Sequence, residues 1–547
     1  MTEAFKLDPS RERMAFALAS VLLLLPLAVF FLLPTQDGPV HTYNAELIRQ
    51  ALAGENGWFS QWLIANPRFD PTWPPHLVLV AMISVLPHEI SEGLYQAGAI
   101  LALPWAMRYA ITGFRADGGH WAWLVLPFAY SFTFHMGFYS FSYGISTALL
   151  MVGYWWRSLG HWSWSRQLGM ALIAVLAFYV HVFPMLVIGF FMVPIAALRL
   201  FEAVRDKGLP TMLRRELLPQ VIAFLPALLL VAEFMLSRQT EVINDRPLAV
   251  RIAHLGALSY LISYNRIELI GSVLVAGSLG LMSLLALRHP DVRRDGHYWA
   301  LLGGVLAVLL LFLTMSETEL VTSNGMRGGG FMIRRTQPVL YLVLLLWLAW
   351  SFDDARWRPR AVAIGAVLCV LGMVLRWPAY TDVREQMREY DFAAEHLQRH
   401  ETVLALNAFQ GGTLDATSSK PLVEFADPFR HHVTRLATRR DAFSINNYEA
   451  VMGYFPLIYR DHVNPWLSLG RIEGEPPLVD IGKYEAALGK PLDVILVWGR
   501  GRRGISLAAI DLQLRALGFR RVAVSPGEGL MEVYRRPDSA IGSASIE

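Results

Sequence analysis

About eleven apolar runs, most of them long enough to cross a hydrocarbon core of roughly 30 Å, fill the first two-thirds of the chain, and a chain built that way has lipid as its main solvent. The first extends from Met14 to Leu33, and later ones begin near Glu89, His120, Phe138, Arg166, Pro184, Leu217, Ile267, Tyr298, Gln337 and Ala361. Composition agrees: of 547 residues 54% are hydrophobic and 17% charged, against about 25% charged in soluble domains. A cytosolic enzyme is excluded. The formal charge of +3 gives no reason to expect nucleic acid as a partner. The single cysteine, Cys369, rules out an intrachain disulfide or a cysteine-based metal site.

The first run reads as a span and not as a cleavable signal, because Pro34-Thr35-Gln36-Asp37 follows where small residues would mark a cleavage site. Basic residues orient the rest. With the N-terminus in the cytoplasm, inside loops carry roughly twice as many Lys and Arg as outside loops, as the positive-inside rule requires. That orientation places the chain in the cell inner (plasma) membrane with both the first long loop and the tail on the periplasmic or extracellular side. The run from His76 to Pro87 is about 12 residues, too short to cross easily. Counting it as a span would invert every later loop, so it reads as interfacial or as part of a bent neighbouring helix. The chain therefore divides into a transmembrane domain, residues 1–379, with a long first outer loop at 35–89, and an extracytoplasmic α/β domain, residues 380–547. In that tail a charged helix is expected from Asp382 to Arg399. Strands are expected at Thr402 to Leu406, Leu492 to Trp498, Arg521 to Ser525 and Leu530 to Tyr534, with an amphipathic helix from Ser506 to Leu517. No internal repeat of the transporter kind is seen.

Three places hold chemistry-bearing side chains. Asp37 falls where the first span leaves the membrane, followed by Gly38-Pro39-Val40-His41. Asp before Pro and an amphipathic stretch is an ordinary helix start, so a capping role and a general-base or cation-binding role are both open, and they are compatible. His41, four residues on, shares a helix face with Asp37 and suits substrate binding or tuning of the carboxylate, unless it is merely a hydrogen-bonding surface histidine. The same loop closes in Asp70-Pro71-Thr72-Trp73-Pro74-Pro75-His76. This is a rigid, proline-rich segment with a second candidate carboxylate in Asp70, although Asp-Pro is also a common turn signal. Before Gln337 stand Arg327, three glycines, Arg334 and Arg335, basic residues retained against the topology bias. Arginines pair with phosphate bidentately and glycines admit backbone amides to the same oxygens; the plain alternative is a snorkelling helix anchor. In the tail, Gly499 to Gly504 imitates a dinucleotide-binding turn. The strand before it lies near the C-terminus, and the full βαβαβ unit is missing.

With its α-helical polytopic body and α/β tail, the chain resembles the GT-C integral-membrane glycosyltransferases, which include protein O-mannosyltransferases and lipid A aminoarabinose transferases. The carboxylate after the first span, the Trp73-Pro74-Pro75-His76-Leu77 segment and the multi-span body with an outer α/β domain carry the likeness. It departs from the family where a paired Asp-Glu is expected, since Gly38 follows Asp37. The resemblance implies transfer of a sugar from a polyprenyl-phosphate donor to a lipid, polysaccharide or protein acceptor of the cell envelope. Asp37 is then the base, with Asp70 as a second carboxylate for any two-carboxylate chemistry. Arg334, Arg335 and the neighbouring Arg327 face the phosphate, and His41 and His76 shape the pocket. No cofactor is certain: some family members use a divalent cation, which one or two carboxylates do not decide. The rival readings are an O-antigen ligase or polymerase, a transporter or flippase, and a scaffold.

Overall fold

The structure is a computed structural model and describes residues 9–244, 246–289, 295–321, 327–352, 356–413, 420–500 and 506–537. It is 66% helical. Among the described residues seven helices are long and apolar enough to cross a membrane: 10–30, 164–206, 209–236, 266–288, 296–314, 332–351 and 357–396. Their outward faces carry Leu18, Leu229, Leu281, Leu310 and Val370, all more than half exposed. So much apolar surface is stable against lipid and not against water. This is a multi-pass membrane protein. The expected count of about eleven spans is not reached on this measure. The run at His120 folds as a 3-10 helix, Gly118–Ala129, and the runs at Arg166 and Pro184 lie in one helical stretch, Trp164–Lys207.

That stretch would be about 66 Å long if straight, twice the thickness of a hydrocarbon core. It is not straight. His181 takes an extended conformation (φ −169°, ψ 111°) three residues before Pro184, which has no amide to donate. The chain reverses there: Tyr179 accepts a hydrogen bond from the amide of Thr72, Phe191 is back beside Phe114, and Leu198 packs on Gly296. His181 is thereby left at the level of Thr72.

The short run after Trp73 forms a separate 11-residue helix, Trp73–Ile83. Pro74 and Pro75 occupy its first turn, where no intrahelical amide bond is lost.

The tail is built on a five-stranded sheet with strands β1 Thr402–Asn407, β2 Phe443–Ser444, β3 Val494–Trp498, β4 Arg520–Val524 and β5 Met531–Arg535, in the order β4-β5-β3-β1-β2. β1 is parallel to β2 and β3, and β5 is antiparallel to both its neighbours. β3 is buried along its whole length, which explains its unbroken Val-Ile-Leu-Val-Trp sequence. The charged helix expected from Asp382 is the end of the last long helix, which continues without a break through Trp357–Asp391.

First loop and tail are fastened together. Leu63–Ala65 pairs antiparallel with Leu457–Tyr459, and the amide of Ser444 donates to Tyr43 Oη at 3.0 Å. Asn44 and Asn447 exchange amide hydrogen bonds at 3.1 and 2.7 Å.

Candidate active site

Asp37 occupies the N-cap position of helix Gly38–Leu52, and its carbonyl accepts from the amides of Val40 and His41. Its side chain does not cap the helix. Oδ2 accepts from the Tyr448 hydroxyl at 2.8 Å, Oδ1 accepts from Gln36 Nε2 at 3.2 Å, and His431 Nε2 lies 3.6 Å from Oδ1. Burial, which leaves the residue 2% exposed, pushes the carboxyl up to about 7, while His41 and the Tyr448 hydrogen bond pull the other way. The side chain is free for chemistry because the helix start is held by the backbone.

Gly38 accounts for the missing Asp-Glu pair. A Cβ at that position would meet Tyr139 Oη at 2.7 Å and Glu92 Oε1 at 3.0 Å. The place a second carboxylate would take in sequence is filled in space by Thr35, Tyr139 and Glu92. Glu92 itself is tied to Arg435 of the tail at 2.8 Å.

Asp37 opens onto a cavity of about 560 Å³. Its polar wall includes Asp37, His41, Arg335, Arg430, His431 and Tyr448. Its apolar wall includes Val182, Leu186, Phe190, Phe234 and Leu311 from the membrane helices, with Phe141 of helix Tyr139–Ser158 beside them. The reversal at His181 is what turns part of that apolar surface toward Asp37, and His181 lines the cavity too. His431 is held neutral, its basicity driven well below the usual histidine range by burial and then by the Arg430 charge.

The arginine loop delivers one residue to the cavity. Glu317, on the strand Glu317–Val321, accepts from the amides of Met332 at 2.5 Å and Ile333 at 3.3 Å, fixing the start of helix Met332–Ser351. One turn in, Arg335 stacks its guanidinium 4.7 Å from the Phe138 ring and donates to the Gly329 carbonyl at 3.3 Å. Its Nε is buried with no partner among the described residues. Gly328, Gly329 and Gly330 line the cavity beside it. Arg334 points elsewhere, 4.2 Å over the Phe132 ring. The side chain of Arg327 lies outside the described residues.

Asp70 is not brought to Asp37. It forms a buried ion pair with Arg238 at the end of helix Leu218–Leu236. His76 does join His41, one helical turn after Thr72, and both reach Glu449. The ring nitrogens and carboxylate oxygens of His41, His76 and Glu449 lie within 4.8 Å of one another, all buried.

Of the residues singled out in the sequence, Asp37, His41 and Arg335 line one cavity and His76 meets His41 beside it; Tyr448, Glu449, His431 and Arg435, which join them, were not singled out. These lie between the clear strands of the tail. The consecutive histidines at 431 and 432 and the polar run Ser444-Ile445-Asn446-Asn447-Tyr448-Glu449 were the available signals.

The fold described above is also found in a membrane protein of known structure. A solved structure that shares it is that of ArnT from Cupriavidus metallidurans in the apo state, with a TM-score of 0.51 at 11% identity over 95% of this chain and 98% of that one. The same protein bound to undecaprenyl phosphate superposes with a TM-score of 0.48 at 12% identity, over 98% of this chain and 99% of that one. No protein-family model matches the chain. No curated protein matches it by sequence.

Proposed function

We propose that the protein is a membrane glycosyltransferase that takes a sugar from a polyprenyl-phosphate donor and passes it to a hydroxyl-bearing envelope acceptor on the outer side of the membrane. The observation that carries this reading is the shared cavity: a buried carboxylate and a buried guanidinium open onto one space whose remaining wall is apolar. A lipid-linked sugar has the same three parts. Its chain suits the membrane-helix wall, its phosphate suits Arg335 and the glycine backbone, and its sugar lies between them and Asp37.

In the reaction Asp37 accepts the proton of the acceptor hydroxyl as the oxygen bonds to the anomeric carbon. The bond from that carbon to the phosphate oxygen breaks, and the lipid phosphate leaves as an anion. Arg335 stabilises the negative charge that gathers there, which is the largest effect such a site offers. A base whose carboxyl is pushed up to about 7 is well matched to proton removal near neutral pH. Tyr448 orients that base by donating to Oδ2, and Arg430 and His431 supply polar contacts on the tail side, where the acceptor enters.

The test is transfer of labelled sugar from membrane-extracted polyprenyl-phosphate sugars to envelope acceptors by intact protein and by Asp37→Asn at equal folded amounts. Transfer by the intact protein alone is expected. Equal transfer by both would remove Asp37 from the chemistry, and transfer by neither with several donors would overturn the reading.

A further inference from the structure

We propose that His41, His76 and Glu449 bind one divalent transition-metal ion, zinc by the character of the donors, which joins the first loop to the tail domain beside the cavity. The inference does not depend on the sugar-transfer reading, and Asp37 is not among the ligands.

The argument begins with the second nitrogen of each histidine. His41 Nε2 donates to the Gly137 carbonyl at 2.8 Å, and His76 Nδ1 donates to the Thr72 carbonyl at 3.0 Å. These bonds fix the tautomers, so the neutral rings present lone pairs from His41 Nδ1 and His76 Nε2. The two lone pairs face each other at 3.4 Å. Imidazole ligands held this way by backbone carbonyls are the usual supporting arrangement of a metal site.

Glu449 completes the set. Its Oε2 lies 3.1 Å from His76 Nε2, and its Oε1 lies 2.5 Å from His41 Nδ1 but outside hydrogen-bond geometry. Asn44 holds the carboxylate by donating to Oε2 at 2.6 Å. Ligand atoms around a tetrahedral zinc ion, with bonds of about 2.0–2.1 Å, stand about 3.3 Å apart. The two distances to His76 Nε2 are near that value. Two imidazoles and a carboxylate suit zinc and its neighbours and do not suit magnesium or calcium, which take oxygen donors.

A buried carboxylate set between two imidazoles is satisfied by one added positive charge, and a metal ion supplies it to both rings at once. Bound there, the ion would pin Glu449, and with it the adjacent Tyr448, onto helix Gly38–Leu52 and helix Trp73–Ile83.

The test is metal content of the purified full chain, grown with zinc, iron, nickel, copper and manganese present. About one equivalent of a single transition metal is expected in the intact protein, falling at least tenfold in Glu449→Gln and in His76→Ala. Removal of the metal with phenanthroline should lower the Tm of the intact protein, and added zinc should restore it. X-ray absorption of the intact protein keeps the proposal open to refutation if the variants do not fold: two imidazole nitrogens and a carboxylate oxygen at about 2.0–2.1 Å are expected. Less than a tenth of an equivalent in the intact protein with no thermal response to zinc, or equal metal in the folded variants, would overturn it.

Discussion

Tyr448 donates its hydroxyl to Asp37 Oδ2 at 2.8 Å across 411 positions of sequence. Asp37 is buried and Tyr448 partly so; desolvation, with the Asp37 charge beside it, drives the tyrosine far above its ordinary pKa, so that it remains a donor at any working pH. The candidate base and the group that orients it therefore belong to opposite ends of the chain.

Sugar transfer should show an acid limb set by Asp37. The carboxylate form is the active one and its carboxyl sits at about 7, so the rate rises with pH through that value and levels above it. Asp37→Asn should lower the rate by about 10²- to 10⁴-fold, the usual contribution of a positioned base. A pH profile of kcat/KM checks both statements.

Replacing Tyr448 by Phe removes a hydrogen bond that favours the charged carboxylate. The acid limb should move to higher pH, so that the variant is impaired at pH 7 and recovers as the pH is raised. A loss that is the same at every pH would place Tyr448 in contact with substrate and not in control of the base.

Asp37→Asn should stabilise the fold in alkaline solution. The folded carboxyl, at about 7, binds its proton more tightly than the unfolded one at 3.8. Across that window the unfolded chain releases a proton that the folded chain keeps, so stability falls as pH rises. Asparagine escapes this cost, on the order of 4 kcal/mol at most. The Tm of the variant in detergent should exceed that of the intact protein at pH 8, with the gap closing toward pH 4.

Arg335→Lys should be much closer to Arg335→Ala than to the intact protein, because an ammonium keeps the charge but neither stacks on Phe138 as a planar group nor grips a phosphate with two parallel bonds. Losses of about 10²-fold in kcat are expected for removing one such stabilising group. Single-turnover rates with saturating donor test this.

Asp70 and Arg238 should matter for stability alone. Their side chains are 8% and 9% exposed, and removing one partner leaves an uncompensated buried charge, costing about 3–5 kcal/mol. Arg238→Met should lower the Tm sharply while the folded fraction keeps its turnover.

The body of this fold was legible because lipid demands long apolar runs, and the tail strands because β3 and its neighbours alternate or bury cleanly. Asp37 was legible from its place at the end of the first span. The run beginning at Arg166 hid its reversal, since nothing in an apolar sequence with prolines says whether a helix bends or turns back. Asp70 looked like a partner for Asp37 because both lie in the first loop, but only tertiary packing reveals that Arg238 claims it. Tyr448 and Glu449 were invisible for the converse reason: they sit in an irregular segment without periodicity, and their meaning depends on residues some 400 positions away.

The distance in sequence between Asp37 and Tyr448 has a consequence for biosynthesis. The helices enter the membrane first, and the segment that closes over Asp37 is made only after them. A chain that has inserted its helices but not yet made this segment lacks the Tyr448 and His431 contacts to Asp37, so the surroundings of the candidate base are completed only when the last fifth of the polypeptide folds down onto the first loop.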